Sequence, residues 1–279
     1  MEKQKNTGRA RLHNEIKKLL EYAPKVDTLL DIGFGDGELS VYFSNKGTKV
    51  TAGGINVLGY KERYATNFTR LEKKGIEIVE CNVEDMPFAE ESFDAVLASH
   101  ILEHVNNMGV ALQEIRRVLK RDGWLFVFIP RFSEMVIDDH VNTGYNLGQL
   151  IYILALHGFD ARNGMFIHYG YSLCAFVQKS EEVPKLQTLY PIQEMKEKKL
   201  LPENVIRSLK YPNKSEVMAG HKEGVAIGYN GNFEYLNFPN ARHLLREYNR
   251  KYSEEEKLKK GLVTIIEEFG KKWYLRHKR

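Results

Sequence analysis

Three glycines on alternate positions, Gly33, Gly35 and Gly37, follow the apolar run Leu29-Leu30-Asp31-Ile32, with Asp31 two residues before the first of them. Glycine lets a backbone turn sharply and lets a ligand lie against it, because no Cβ stands between. This is the chemistry of a loop that holds a cofactor. A phosphate-cradling GxxxxGK loop followed by Ser or Thr is excluded, because no lysine stands at the required place. A dinucleotide loop spaces its glycines GxGxxG and needs the third for tight helix–strand packing. The pattern here is GxGxG, which by itself leaves the cofactor open.

Two further groups of residues could act on a substrate. One is Ser99-His100-Ile101-Leu102-Glu103-His104-Val105. The other is Arg131 with Asp138-Asp139-His140 and Asn142-Thr143-Gly144-Tyr145-Asn146. A carboxylate beside a histidine, as at Asp139 and His140, can act as a base or hold a divalent cation. Tyr145, Asn146 and Gln149, with Phe166, Tyr169 and Tyr171, offer an aromatic and amide surface of the kind that suits a sugar. Each group also has a plain structural role to weigh: helix start and packing for His104, loop and capping duty for the second cluster.

The elements that must carry these residues follow from periodicity. Leu12, Ile16, Leu19 and Leu20 predict an amphipathic helix over about Arg9–Tyr22. Apolar runs predict strands at Val26–Ile32, Lys49–Ala52, Ile76–Cys81, Phe93–Ala98 and Trp124–Ile129, with Gly53-Gly54 closing the second. Helices are predicted after the glycines, over about Val57–Lys73, over a stretch from Val110 to Leu119 ended by Asp122-Gly123, and over Leu147–Leu156. Strands follow at Met165–His168 and Leu173–Val177. Such alternation calls for a doubly wound α/β fold, a mainly parallel seven-stranded Rossmann-like sheet with helices on both faces. Its ligands bind at the carboxyl ends of the strands. From Pro184 prolines and glycines multiply, and two helices are predicted at Ala241–Lys251 and Glu254–Leu275, the second opening on Ser253 and Glu256 as a capping box. The expected organisation is one cofactor-binding domain over 1–183 and an extension over 184–279, irregular then helical, packed on it.

The GxGxG loop resembles the first motif of the class I S-adenosylmethionine-dependent methyltransferases, in particular methyltransferase type 11-like domains. Cys81-Asn82-Val83-Glu84-Asp85-Met86-Pro87-Phe88, Ser92-Phe93-Asp94-Ala95-Val96, Ser99 to Val105 and Arg117 to Leu125 match that family's later blocks in order and spacing. The resemblance implies S-adenosyl-L-methionine as cofactor. It places Asp31 near the methionine amino group, Gly33, Phe34, Gly35 and Gly37 along the methionine part, Asn82 and Val83 at the adenine, and Ser99 facing the methionine group. Two departures concern hydrogen-bond strength. The family usually carries a carboxylate for the ribose after the second strand, where this chain has Gly54-Ile55-Asn56, and an aspartate where it has Asn82. Charge-assisted hydrogen bonds are roughly twice as strong as neutral ones, so cofactor affinity is expected below the family norm unless Glu62 or another acid substitutes.

For the acceptor the sequence argues by exclusion. The Asn/Asp-Pro-Pro-aromatic motif of amine methylation of bases and the Pro-Cys of cytosine ring methylation are both missing after the fourth strand, so a nucleic-acid partner is not expected. His104, His140 and Asp139 are the candidate catalytic residues, and Arg131, Tyr145 and Asn146 the candidate substrate contacts. They predict O-methylation of a small-molecule or saccharide acceptor. A quinone or lipid-like acceptor is the alternative substrate class, and a non-catalytic cofactor-binding module the alternative function.

Composition agrees with this picture. With 43% hydrophobic and 28% charged residues the chain is neither disordered nor fibrous. Cys81 and Cys174 lie in apolar runs without CxxC or Cys/His spacing, so neither a disulfide framework nor a zinc site is expected. Neither a signal peptide nor a membrane span is legible, and a cytoplasmic protein is expected. From Arg242 to Arg279 there are 12 Lys or Arg against 6 Asp or Glu, so this tail carries +6 where the whole chain carries +4. Such a run is a solvated helical face or a peripheral contact for an anionic surface.

Overall fold

The computed structural model describes residues 2–130, 140–142, 145–169, 172–186 and 191–201. In chain order they form α1 (Glu2–Leu20), β1 (Thr28–Ile32), α2 (Glu38–Asn45), β2 (Lys49–Gly54), α3 (Val57–Arg63), α4 (Ala65–Lys73), β3 (Glu77–Glu80), β4 (Phe93–Ser99), α5 (Met108–Val118), β5 (Leu119–Pro130), α6 (Leu147–Leu156), β6 (Met165–Tyr169), β7 (Ser172–Gln178) and α7 (Pro191–Glu197). The two helices predicted after Ala241 and the basic tail lie outside the described residues.

The strands make one sheet in the order β3-β2-β1-β4-β5-β7-β6. Every pairing from β3 across to β5 is parallel, and β7 runs antiparallel to both β5 and β6. Side chains alternate between two cores. Leu30, Ile32, Val96, Ala98, Leu125 and Val127 pack with α5 and α6, whereas Leu29, Ala95, Leu97, Phe126 and Phe128 pack with α1, α2 and α4. Burial on both faces explains why these strands read as unbroken apolar runs rather than alternating ones. Met195 and Leu201 are buried in the first core, so the described stretch after Pro191 packs on the sheet domain.

Four boundaries differ from those the sequence predicts. β2 continues through Gly53 and Gly54, which pair with Val79 and Glu80 of β3. A Cβ on Gly53 would stand 2.7 Å from the Cys81 sulfur, so the glycine serves packing between strands rather than a turn. The single helix predicted over Val57–Lys73 is two, divided at Tyr64, whose backbone leaves the helical region and whose ring packs on the second core. α5 ends at Val118, and Asp122-Gly123 lies inside β5, in a bulge between the Phe93–Leu119 and Ala95–Trp124 pairs. Finally, α1 begins at Glu2 rather than near Arg9.

Candidate functional site

The strand order reverses between β1 and β4, which in an open α/β sheet is where the crevice for a ligand opens. A cavity of about 540 Å³ lies there. Its floor is the segment from Asp31 to Asp36, and the loops after β2, β3 and β4 supply its sides.

The glycines do two different jobs. Gly33 has φ +76°, and a Cβ there would meet Ile101 Cβ at 2.8 Å, so it lets the β1 loop approach the turn after β4. Gly35 has φ +53°, and the nearest atom to its notional Cβ is the Gly33 carbonyl at 3.9 Å. The space over Gly35 is therefore free for a ligand lying against the backbone. Phe34 turns its ring into the core, edge-on to Phe68 at 5.7 Å.

Asp31 is 1% exposed and accepts a 2.5 Å hydrogen bond from the Ser40 hydroxyl. Burial pushes its carboxyl up to about 7; the Ser40 bond opposes this and the charge of Asp36 adds to it. A carboxylate held away from water on the wall of a crevice is an incomplete ion pair, and a ligand ammonium group would complete it.

The first helix forms a wall that the sequence reading did not assign. Arg9, Leu12, His13 and Ile16 line the crevice. Their spacing of three, four and seven is the signal that could have revealed it, since a polar pair interrupts the apolar stripe on one face. His13 Nε2 stands 3.7 Å from Asp36 Oδ1, and burial holds the imidazole below its ordinary pKa.

On the opposite side Val83 is buried and Asn82 exposed. The Asn82 side-chain oxygen accepts from the Glu84 amide at 3.0 Å, which sets the turn after β3. Asn56, expected near the ribose, is exposed with φ 55°, and Gly54, Ile55 and Val57 form the crevice side at this point. The acid found nearby is Glu80 rather than Glu62: its carboxylate accepts from the amides of Asn56 and Val57 at 2.5 and 2.7 Å.

The turn after β4 carries the reactive groups. His100 adopts φ 54°, and its ring bridges Glu103 Oε1 and the Ser172 hydroxyl, both at 3.1 Å. Residues 102–104 form a turn, and α5 begins only at Met108 under an Asn107 cap, so His104 does not open the helix. Asn142 ties the chain near His140 to this turn. Its amide donates to the Glu103 carbonyl, and its side chain donates to the carbonyls of Leu102 and Val105. The His104 and His140 rings consequently meet at 4.7 Å between centroids, 68° apart. Glu103, His104 and His140 each bring one ligating atom within 4.8 Å of the others. Both histidines line the crevice; the carboxylate brought close to them among the described residues is that of Glu103, whose nearness to His140 is not legible along the chain because the two stand 37 positions apart.

The remaining candidates fare unevenly. Asp139, Arg131 and Tyr171 lie outside the described residues. Asn146 and Gln149 form a capping box at the start of α6, each side-chain oxygen accepting from the other's amide at 2.9 Å. Their amides are thus engaged by the helix start. Tyr145 is half-buried against the first core, and burial raises its phenol pKa. Phe166 is fully buried and contributes to the core rather than to a binding surface.

Sheet order, glycine floor and crevice together define a doubly wound cofactor-binding domain. Residues 30–127 match the family model described as a methyltransferase domain. The ubiquinone/menaquinone biosynthesis C-methyltransferase UbiE of Sinorhizobium fredii is 31% identical over 143 residues, covering 42% of this chain and 55% of that enzyme. Its counterpart from Rhizobium meliloti is 38% identical over 137 residues, covering 40% and 52%. The chain thus spans about half the length of these curated relatives. The PH0226 protein of Pyrococcus horikoshii shares the fold, with a TM-score of 0.51 at 17% identity over 62% of this chain and 91% of that one. Residues 30–127 thus carry a methyltransferase domain of the class I S-adenosylmethionine-dependent kind, whose cofactor is S-adenosylmethionine. Among the described residues no helix is long and apolar enough to cross a membrane.

Proposed function

We propose that this protein transfers a methyl group from S-adenosylmethionine to a hydroxyl of a small-molecule acceptor. The observation that carries this reading is the crevice itself: Asp31 and Gly35 line one side and the His104–His140 pair another. The residues fit the cofactor, since Asp31 is a buried carboxylate in want of a cation and the space over Gly35 is one that a Cβ would fill. On this reading Asp31 takes the ammonium group, the backbone of Gly33 to Gly35 lies along the methionine part, Ser99 faces the methionine group and the Val83 amide meets the adenine.

The cofactor supplies a methyl carbon on a sulfonium, so that transfer forms one O–C bond, the C–S pair returns to sulfur, and the hydroxyl proton needs an acceptor. The histidine pair provides the place where that proton is lost, and Glu103, set between His100 and the pair, orients it. α1 covers the crevice beside the Asp36 loop and limits water there.

A second acceptor class has its own support. The relatives named above act in quinone biosynthesis as C-methyltransferases, and Ile55 and Leu58, 62% and 77% exposed, set an apolar edge beside the crevice. An apolar aromatic acceptor would rest on such an edge. Calorimetry with S-adenosylhomocysteine tests cofactor binding first; no heat at millimolar ligand would remove both readings. Transfer of a labelled methyl group to a diol sugar, a catechol and a quinol, with the product's new bond identified as O–C or C–C by NMR, separates the two. Binding without transfer to any of them would leave a non-catalytic cofactor module.

A further inference from the structure

We infer that Glu103, His104 and His140 hold a divalent transition-metal ion at the acceptor end of the crevice, and that the ion binds an acceptor presenting two adjacent oxygens. The ligand set is one carboxylate oxygen and two imidazole nitrogens, all within 4.8 Å of one another. Ions of the Zn²⁺ or Mn²⁺ type sit about 2.0–2.2 Å from such atoms, which places neighbouring ligands about 3–3.5 Å apart. Side-chain rotations of little more than an ångström close that gap.

Two independent observations point to an ion rather than to a bare acid–base pair. Glu103 is 1% exposed, yet among the described residues its Oε2 has no hydrogen-bond partner. A buried carboxylate oxygen without a partner is costly to keep, and a cation is the ligand that would compensate it. The other oxygen, Oε1, is held by the His100 ring, whose far nitrogen is anchored to Ser172. An outer histidine that fixes one carboxylate oxygen and leaves the second to face a metal is the support that metal ligands characteristically receive. The Asn142 side chain, which donates to the carbonyls of Leu102 and Val105, fastens the distant segment that carries the third ligand, His140.

Two imidazoles favour a borderline ion over Mg²⁺ or Ca²⁺, which prefer all-oxygen sets. Three protein ligands leave two or three open positions on a five- or six-coordinate ion, enough for a chelating pair of oxygens. With both imidazoles engaged as ligands, the ion takes over the task of the base: it makes the coordinated hydroxyl more acidic, the proton passes to solvent, and the oxygen supplies the pair for the new O–C bond as the C–S pair returns to sulfur. The acceptor class assigned here rests on the methyl-transfer reading; the ion site does not.

The test uses the full chain stripped with chelator. Mn²⁺ uptake followed by loss of the free-ion electron paramagnetic resonance signal should reach one ion per chain, and Co²⁺ should develop visible absorption. His140→Gln, at a partly exposed position, and Glu103→Gln, of the same shape, should each weaken Mn²⁺ binding at least ~10-fold. Their S-adenosylhomocysteine affinity, measured in the same samples, should stay within about twofold and shows that the fold is intact. Catechol or a cis-diol glycoside should shift the Co²⁺ spectrum where phenol does not; no shift with either overturns the chelating acceptor. Wild-type protein that takes up neither ion at millimolar concentration while binding S-adenosylhomocysteine overturns the ion site and leaves the methyl-transfer reading standing. Uptake unchanged in both variants overturns it equally. Ion binding without any cofactor binding supports the site and removes the methyl-transfer reading instead.

Discussion

Replacing Asp31 with Asn separates the cost of this residue to the empty fold from its use in binding. In the fold its carboxyl titrates at about 7 against an ordinary value of 3.8. Between those values the unfolded chain has released the proton and the folded chain has kept it, so the stability of the wild type falls as pH rises from about 4 to about 7. Three units correspond to roughly 4 kcal/mol, an upper bound for so buried a group. An amide at this position carries no charge, and its oxygen still accepts from Ser40. Against the gain stands the burial of an amide N–H₂, worth about 1–3 kcal/mol if it finds no acceptor. Asp31→Asn should therefore stabilise the cofactor-free protein by ~1–3 kcal/mol at pH 8. At about 2–4 °C per kcal/mol for a domain of this size, the midpoint should rise by several degrees. Near pH 5 the advantage should vanish or reverse. Thermal unfolding of both proteins at pH 5, 6.5 and 8, without cofactor, reads this directly. With Asp31 in its proposed role, the same substitution removes a charge-assisted contact to the ammonium group and should weaken S-adenosylhomocysteine by roughly 10–100-fold at pH 8. A stability difference that does not change with pH, or an unchanged cofactor affinity, refutes the reasoning.

Gly35→Val should abolish S-adenosylhomocysteine binding in calorimetry while lowering the midpoint by only a few degrees, because its side chain enters open space at a positive φ. Gly33→Ala should instead destabilise the fold, since its Cβ meets Ile101 at 2.8 Å, with circular dichroism melting as the measure. Asn146→Ala should cost about 0.5–2 kcal/mol in urea unfolding by removing the α6 cap, with steady-state constants for the acceptor unchanged; a raised KM at unchanged stability would return it to the substrate site. Arg117→Ala should cost about 2 kcal/mol or more, because its guanidinium binds the carbonyls of Met86 and Phe88 and pairs with Glu114.

Much of the architecture was legible because local physics and burial agree. The runs at Ala95–Ala98 and Leu125–Ile129 are apolar throughout, and Leu29–Ile32 is apolar but for Asp31, since both faces of the sheet are covered, and glycine has few uses at a strand end other than a tight turn or a ligand. Where the two kinds of glycine use compete, the sequence misleads. Gly53 and Gly54 look like a strand terminator, but both pair within the sheet, and at Gly53 the Cys81 sulfur needs the space that a side chain would take. Asn146 and Gln149 look like a polar binding surface, but each satisfies the other's amide at a helix start.

The sequence by itself determined the fold class and set the glycine loop at the carboxyl end of β1, because both rest on residues that are neighbours in the chain and on periods that a strand or helix imposes. The tertiary structure alone decided what faces that loop. α1 becomes a crevice wall only when its His13 side meets Asp36, and His140 comes near Glu103 only when Asn142 fastens two distant segments together. Contacts of that kind depend on how loops close over the sheet: the spacing of Arg9, Leu12, His13 and Ile16 marks one face of α1 but not what that face meets.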